Sequence, residues 1–324
     1  NKREVIFTGQ HDELVSNYIF TNKINIGKIS NQRLNNIFSD VIRKLNLSNY
    51  SAIIIQGDTA TTCAAAINAF NNKIKIIYVE SGLRSYDYEN PYPEECYRQI
   101  ISRVAHINFS PTNLSRSNLK KEKIKSKIFV VGNTALDNLL KYKKNTKYTD
   151  LVPITLHRRE NLNILLEWFE ALNKVAKNFN KLKFIYPIHA NPVIKKKIKV
   201  LKNIKIVNAV SHEKMINYIS KSKFIITDSG GIQEEGSFLN KKVIVCRKVT
   251  ERPEGIKSGH LKICSKPSRL FKMVKLLNNN YKIKNICPYG DGKSSLRIIL
   301  SFKECISLKV SKSYSKKASF ITSY

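Results

Sequence analysis

Short runs of β-branched and aromatic residues, each followed by a helix-periodic stretch, set the tightest limit on what this chain can fold into. Runs at residues 52–55, 74–79, 107–110 and 128–131 alternate with helix patterns at 61–70, 94–104, 114–121 and 134–140. Short and mostly apolar, such runs separated by helix patterns belong in a parallel sheet whose crossovers are helices. Ahead of them stand a short strand at 4–8, a helix at 12–20 and an amphipathic helix at 32–45 carrying Leu34, Ile37, Phe38, Val41, Ile42 and Leu45 on one side. Residues 141–148, KYKKNTKY, break the pattern with a charged linker. A second series of strands then follows at 152–156, 184–188, 204–207, 224–227 and 243–246, closed by helix patterns at 270–277 and 294–300. The expected architecture is α/β, with two doubly wound, Rossmann-like domains facing each other across a cleft. Their limits are 1–144 and 145–306, with a Lys/Ser-rich tail at 307–324 for which no element is expected.

Within that frame the stretch Asp228-Ser229-Gly230-Gly231-Ile232-Gln233-Glu234-Glu235 is the most pointed. It links the apolar run 224–227 to a helix expected to open at 234, and a strand, a glycine pair and a helix start together make an anion site. Glycines allow close backbone approach, and the first helical turn offers unpaired N–H groups and the positive end of the helix dipole. Ser229 adds a hydroxyl donor. The plainer reading is a tight turn with Asp228 as the helix cap.

Other expected strand ends carry chemistry too. Gln56-Gly57-Asp58-Thr59-Ala60-Thr61-Thr62 runs from a strand into a carboxylate and a row of hydroxyls, although Asp58 alone reads as an N-cap. Glu80-Ser81-Gly82-Leu83-Arg84 follows Val79, and Asp87, Glu89, Glu94 and Glu95 lie just beyond, so 5 of the 24 acids fall in sixteen residues. Even spacing predicts about one there, and dipole-complementing acids in a helix first turn account only for Glu94 and Glu95. His157-Arg158-Arg159-Glu160-Asn161 and Thr250-Glu251-Arg252-Pro253-Glu254 end two strands of the second series. Arg is scarce, 13 of 57 cations, and its placement at 84, 158, 159, 247 and 252 points to planar, bidentate recognition of phosphate or carboxylate.

Net charge is the feature that most invites a wrong conclusion. At +33 it suggests nucleic acid or an anionic membrane as partner. The Lys are spread along the whole chain among Asn and Ile, however, which reads as a solvated surface with weak polyanion affinity at low salt and no specific nucleic-acid partner. No apolar run approaches the ~20 residues that span a bilayer, so no membrane insertion is expected. Six Cys at 63, 96, 246, 264, 287 and 305 form no C-x-x-C pair and read as buried thiols of a reducing cytoplasm. Neither a metal-ligand cluster nor G-x-G-x-x-G is present, so no metal and no cofactor is expected. Carboxylates in one domain, with a histidine, an anion loop and an arginine in the other, suit chemistry on the sugar of a nucleotide sugar.

Nine motifs, in order, resemble one family. They are Gln56-Gly57-Asp58-Thr59, Val79-Glu80-Ser81-Gly82-Leu83-Arg84, Pro93-Glu94-Glu95, Phe109-Ser110-Pro111-Thr112, Gly132-Asn133-Thr134, His157-Arg158-Arg159-Glu160-Asn161, Asp228 through Glu235, Thr250-Glu251-Arg252-Pro253-Glu254 and Pro288-Tyr289-Gly290-Asp291-Gly292. The chain resembles the bacterial non-hydrolysing UDP-N-acetylglucosamine 2-epimerases, which have a glycosyltransferase-B-like fold. The resemblance implies inversion at C2 by elimination and re-addition of UDP, in a cytoplasmic homodimer feeding polysaccharide synthesis. It places Asp58, Glu80, Glu94 and His157 at catalytic positions. Ser229, Gly230 and Gly231 fall at the phosphates, Glu235 at the ribose, and Arg252 toward phosphates and sugar. Gln10, His11, Arg158 and His189 match an activating UDP-N-acetylglucosamine site.

The resemblance also has gaps. Gly236-Ser237-Phe238 and Pro253-Glu254-Gly255 depart from the common family wording, which leaves open an oxidised or diacetamido UDP sugar, or a hydrolysing relative. The family's opening strand and its G-T-R-P-E loop have no counterpart, and residues 4–8 match its second strand. The expectation is therefore a first domain lacking a central strand, in a truncated, inactive chain, with a tail that lacks the pattern to fill the slot.

Overall fold

The computed structural model describes residues 3–7, 22–23, 33–189, 191–307 and 317–322. The expected helix at 12–20 and the residues Gln10 and His11 lie outside them. Two compact units emerge, Asn1–Asn133 with Lys293–Tyr324, and Thr134–Gly292. Each is α/β with one parallel sheet, the fold class expected.

The first sheet contains β1 (Arg3–Phe7), β2 (Asn22–Lys23), β3 (Tyr50–Gln56), β4 (Lys75–Val79), β5 (Ile107–Ser110) and β6 (Lys127–Val130). The second contains β7 (Leu151–Thr155), β8 (Lys183–Pro187), β9 (Lys205–Val207), β10 (Ile225–Thr227), β11 (Val243–Val245) and β12 (Leu261–Ile263), and the thirteenth strand, β13 (Lys317–Thr322), returns to the first. The second sheet runs β12-β11-β10-β7-β8-β9. Its order reverses between β7 and β10, and in such sheets ligands bind outside the carboxyl ends of the strands at that reversal. The edge strand β12 has no expected counterpart; at three residues, it is too short for periodicity to reveal.

The first sheet runs β2-β1-β13-β3-β4-β5-β6, and this corrects the expectation of a missing central strand. The tail segment Lys317–Thr322 lies between β1 and β3, parallel to both. It pairs Arg3 with Ala318 through Ile6 with Ile321 on one side, and Ala52 with Ala318 through Gln56 with Thr322 on the other. A central slot exposes two rows of backbone donors and acceptors, so a segment of modest apolar character is held there by the ladders on its flanks. The helix Ser294–Ser307 leads back to this unit. Ile298 and Phe302 pack against the cluster of Ala52, Ile77, Val79, Phe109 and Val131, and Arg297 donates to the Val131 carbonyl at 3.2 Å. It therefore closes the first unit, where the sequence pattern assigned it to the second.

Burial follows periodicity closely. On the helix Arg33–Lys44, Ile37 and Val41 are buried and Leu34 and Phe38 pack partly against them, while Ile42 is 41% exposed at the stripe's margin. In the second unit, Trp168, Phe169 and Leu172 of the helix Leu165–Asn178 cover β7, β8 and β10. No helix among the described residues is long and apolar enough to cross a membrane.

Candidate active site

In the first unit, β3 and β4 are paired in register through Gln56 and Val79, so Asp58 and Glu80 leave neighbouring strand ends. Asp58 is not the helix cap its position suggests. Thr59 caps the helix Ala60–Asn71, accepting from the Thr62 N–H at 3.3 Å. The Asp58 carboxylate is left to accept from Arg98 Nε and Nη2, both at 2.7 Å. Glu80 stands at φ +67°, a left-handed conformation that costs a side-chain-bearing residue energy and persists only where surroundings impose it.

The helix Glu94–Val104 opens with Glu94 and Glu95, and the two do different things. Glu95 is fully buried and accepts from the Ser85 and Tyr86 backbone N–H groups at 2.9 and 3.2 Å, fastening the loop that begins at Glu80. Arg98, one turn on from Glu94, bridges Asp58 to Glu95, the latter at 3.5 Å. Both residues matter here, and neither was singled out for a role by its motif alone. The sign was available: Arg98 is i+4 from Glu94 and so shares its face. Arg84 does make bidentate carboxylate contacts, but with Glu122 of the protein itself, at 2.7 and 2.9 Å.

In the second unit, the helix after β10 starts at Gly230, four residues earlier than expected, so the glycines form its first turn. Ser229 is the N-cap and makes no side-chain cap bond. A Cβ on Gly231 would meet nothing within 4 Å, whereas one on Gly230 would sit 2.7 Å from Arg252 Nη1. Arg252 thus lies against the helix N-terminus. Its Nε donates to Glu234 and its Nη1 to Glu251, and Glu251 also accepts from Arg247 Nη1 at 3.0 Å. Arg247 Nε reaches Glu160 at 2.6 Å, so alternating charges connect the anion loop to the loop after β7. Gly236 fits the same tight packing: a Cβ there would lie 2.8 Å from Ile225 and from Val243.

Residues 157, 189 and 228–231 leave the adjacent strands β7, β8 and β10 at the reversal of strand order. Asp228 turns away from its own helix and accepts from the N–H groups of His157 and Arg158, each at 2.9 Å, and from Asn161 Nδ2 at 3.0 Å. The His157 ring stacks on His189, centroids 4.8 Å apart and planes within 8°. Burial pulls its pKa below the ordinary imidazole value, opposed by Asp228. His157 and His189 are therefore in contact, and the backbone of His157 and Arg158 is tied to Asp228 at the start of the anion loop. Glu235 stands apart, its carboxylate paired with His212 Nε2 at 2.7 Å, a contact that raises the His212 pKa.

The burial of Arg252 leads to a first prediction. Arg252→Ala removes the guanidinium that Glu234 and Glu251 share, and breaking such a buried pair costs about 3–5 kcal/mol. Chemical denaturation should show that loss as a lower unfolding midpoint. An unchanged unfolding midpoint would mean that the arginine is not a structural partner.

Doubly wound parallel sheets whose chemistry-bearing residues stand at carboxyl strand ends define an α/β protein of the Rossmann-like class. Residues 1–303 match the family model described as UDP-N-acetylglucosamine 2-epimerase, and the chain belongs to that family. It is 37% identical to the UDP-N-acetylglucosamine 2-epimerase of Campylobacter jejuni, over 92% of this chain and 90% of that protein. It is 35% identical to that of Bacillus subtilis, over 82% and 74%. Among solved structures, the UDP-GlcNAc 2-epimerase from Neisseria meningitidis bound to UDP-GlcNAc superposes with a TM-score of 0.81 at 29% identity, covering 94% of this chain and 100% of that one.

Proposed function

We propose that the chain is a UDP-N-acetylglucosamine 2-epimerase of the non-hydrolysing kind, interconverting UDP-N-acetylglucosamine and UDP-N-acetylmannosamine. The observation that supports this reading is what each unit carries at its strand and helix ends. Asp58, Glu80 and Glu94 stand at strand and helix ends of the first unit, and a helix N-terminus with a histidine beside it stands in the second.

The reaction uses those groups as follows. A carboxylate removes the proton at C2, its electron pair forms the C1=C2 bond, and the C1–O bond breaks to release UDP. A proton delivered to the other face of C2, with attack of the UDP oxygen at C1, completes the inversion. The sequence is redox-neutral, so no cofactor is called for. Asp58, Glu80, Glu94 and His157 serve as the acid/base groups. Ser229, Gly230 and Gly231 bind the departing diphosphate at the helix N-terminus, with the Arg252 charge behind them. Glu235 holds the ribose. We further propose a homodimer in the cytoplasm, serving polysaccharide synthesis, with Gln10, His11, Arg158 and His189 binding activating UDP-N-acetylglucosamine.

Turnover in deuterated water is the test. Deuterium should appear at C2 of product that is still linked to UDP, read by NMR. Retention of the original C2 proton would rule out elimination, and free N-acetylmannosamine released in step with UDP would replace this reading with the hydrolysing one.

A further inference from the structure

Asp228 sits in the anion-loop motif, yet its carboxylate has another destination. It is fully buried, and a buried charge is tolerated only when it is hydrogen-bonded. Its hydrogen-bond partners among the described residues come from the segment after β7: the His157 N–H, the Arg158 N–H and Asn161 Nδ2. Asn161 is itself fixed, donating to the Cys246 carbonyl at 2.9 Å and accepting from Trp168 Nε1 at 3.1 Å. Asp228 is held in turn through register. β10 pairs β7 at Thr227 and Thr155, the two hydroxyls are 2.6 Å apart, and the Asp228 N–H donates to the Thr155 carbonyl at 3.1 Å. Carboxylate and histidine are thus placed by the same two neighbouring strands.

We propose that Asp228 is a positioning residue that acts through His157, locking the backbone of the histidine loop and fixing which ring nitrogen carries the proton. The carboxylate Oδ1 lies 3.6 Å from His157 Nδ1, too far for a hydrogen bond but close enough for its field to favour an N–H pointing toward it. Neutral His157 then carries its proton on Nδ1, and Nε2 is the bare nitrogen that takes and returns a proton. Burial acts most strongly on the ring, and among the described residues the other groups that act on it are His189, stacked on it, and the neighbouring Arg158. Both disfavour the imidazolium, and Asp228 opposes them. This role rests on the epimerase reading for its purpose, but not for its test.

The test is an NMR titration of the full, isotope-labelled chain without substrate, with the His157 ring assigned through His157→Asn. In the unmodified protein, long-range proton–nitrogen spectra should show neutral His157 protonated at Nδ1; protonation at Nε2 would overturn the proposal. In Asp228→Asn the His157 midpoint should fall by about one pH unit, the scale of losing an opposite charge within 4–6 Å. A midpoint that stays put would also overturn it. Should Asp228→Asn fail to fold, the tautomer in the unmodified chain still decides. No turnover is read in either arm, so failure of the epimerase reading would show separately, as absence of C2 exchange with these spectra intact.

Discussion

A chain ended after Ser307 is expected to lose the cooperative fold of its first unit while the second unit keeps its own. β13 is paired on both sides, with β1 through four residue pairs and with β3 through six. Removing it leaves facing rows of backbone N–H and C=O groups on those neighbours. Each buried group so stranded costs on the order of 1–3 kcal/mol, and a handful of them matches the ~5–15 kcal/mol by which a domain is stable. Core contacts do not compensate, because β3 is the inner strand from which Ile53 and Ile55 reach the buried cluster under the helices Arg33–Lys44 and Ala60–Asn71. Hydrogen exchange is the direct measurement. Amides of β3 and β4 should lose protection in the shortened chain, those of β7 and β10 should not, and a synthetic peptide of residues 308–324 should restore part of the protection. Equal protection of β3 with and without the tail would show that the strand contributes nothing.

That strand also marks where the sequence was and was not legible. Most other strands and their crossovers followed from apolar runs and helix periodicity, since each is defined by residues lying next to one another. β13 is defined by its neighbours: a vacancy between β1 and β3 is a property of the sheet, and KASFIT carries no buried-strand signature to announce that it fills it. The same holds for the end of the second unit. The helix Ser294–Ser307 was visible as a helix, but which core it joins is decided by Ile298 and Phe302 meeting Phe109 and Val131. At the site, motif residues could be named, but their partners could not. Asp228 and Asp58 both looked like caps, and both turned out to bond groups some 40 to 70 residues away in sequence. Arginines read as partners of phosphate or carboxylate pair, at Arg84, Arg247 and Arg252, with carboxylates of the protein itself, which no motif could name in advance.

Replacing Glu80 by Gln is expected to lower kcat by roughly 10²-fold or more, the scale of losing an acid/base group, with UDP affinity little changed. The amide keeps the shape and size of the side chain while removing the titrating group. Asp58→Asn should bring a similar loss, with a second consequence. The Asp58 carboxylate is an ion-pair partner of buried Arg98, so its neutralisation weakens a charge-assisted contact and leaves that guanidinium more dependent on Glu95. Asp58→Asn should therefore lower the unfolding midpoint as well as kcat. Steady-state rates, UDP titration and chemical denaturation on both variants distinguish the possibilities. Wild-type turnover in Glu80→Gln would remove it from the chemistry, and its left-handed backbone would then need another cause. Equal stability of Asp58→Asn and the parent would mean that Arg98 is held by the helix Glu94–Val104 without help from the strand end.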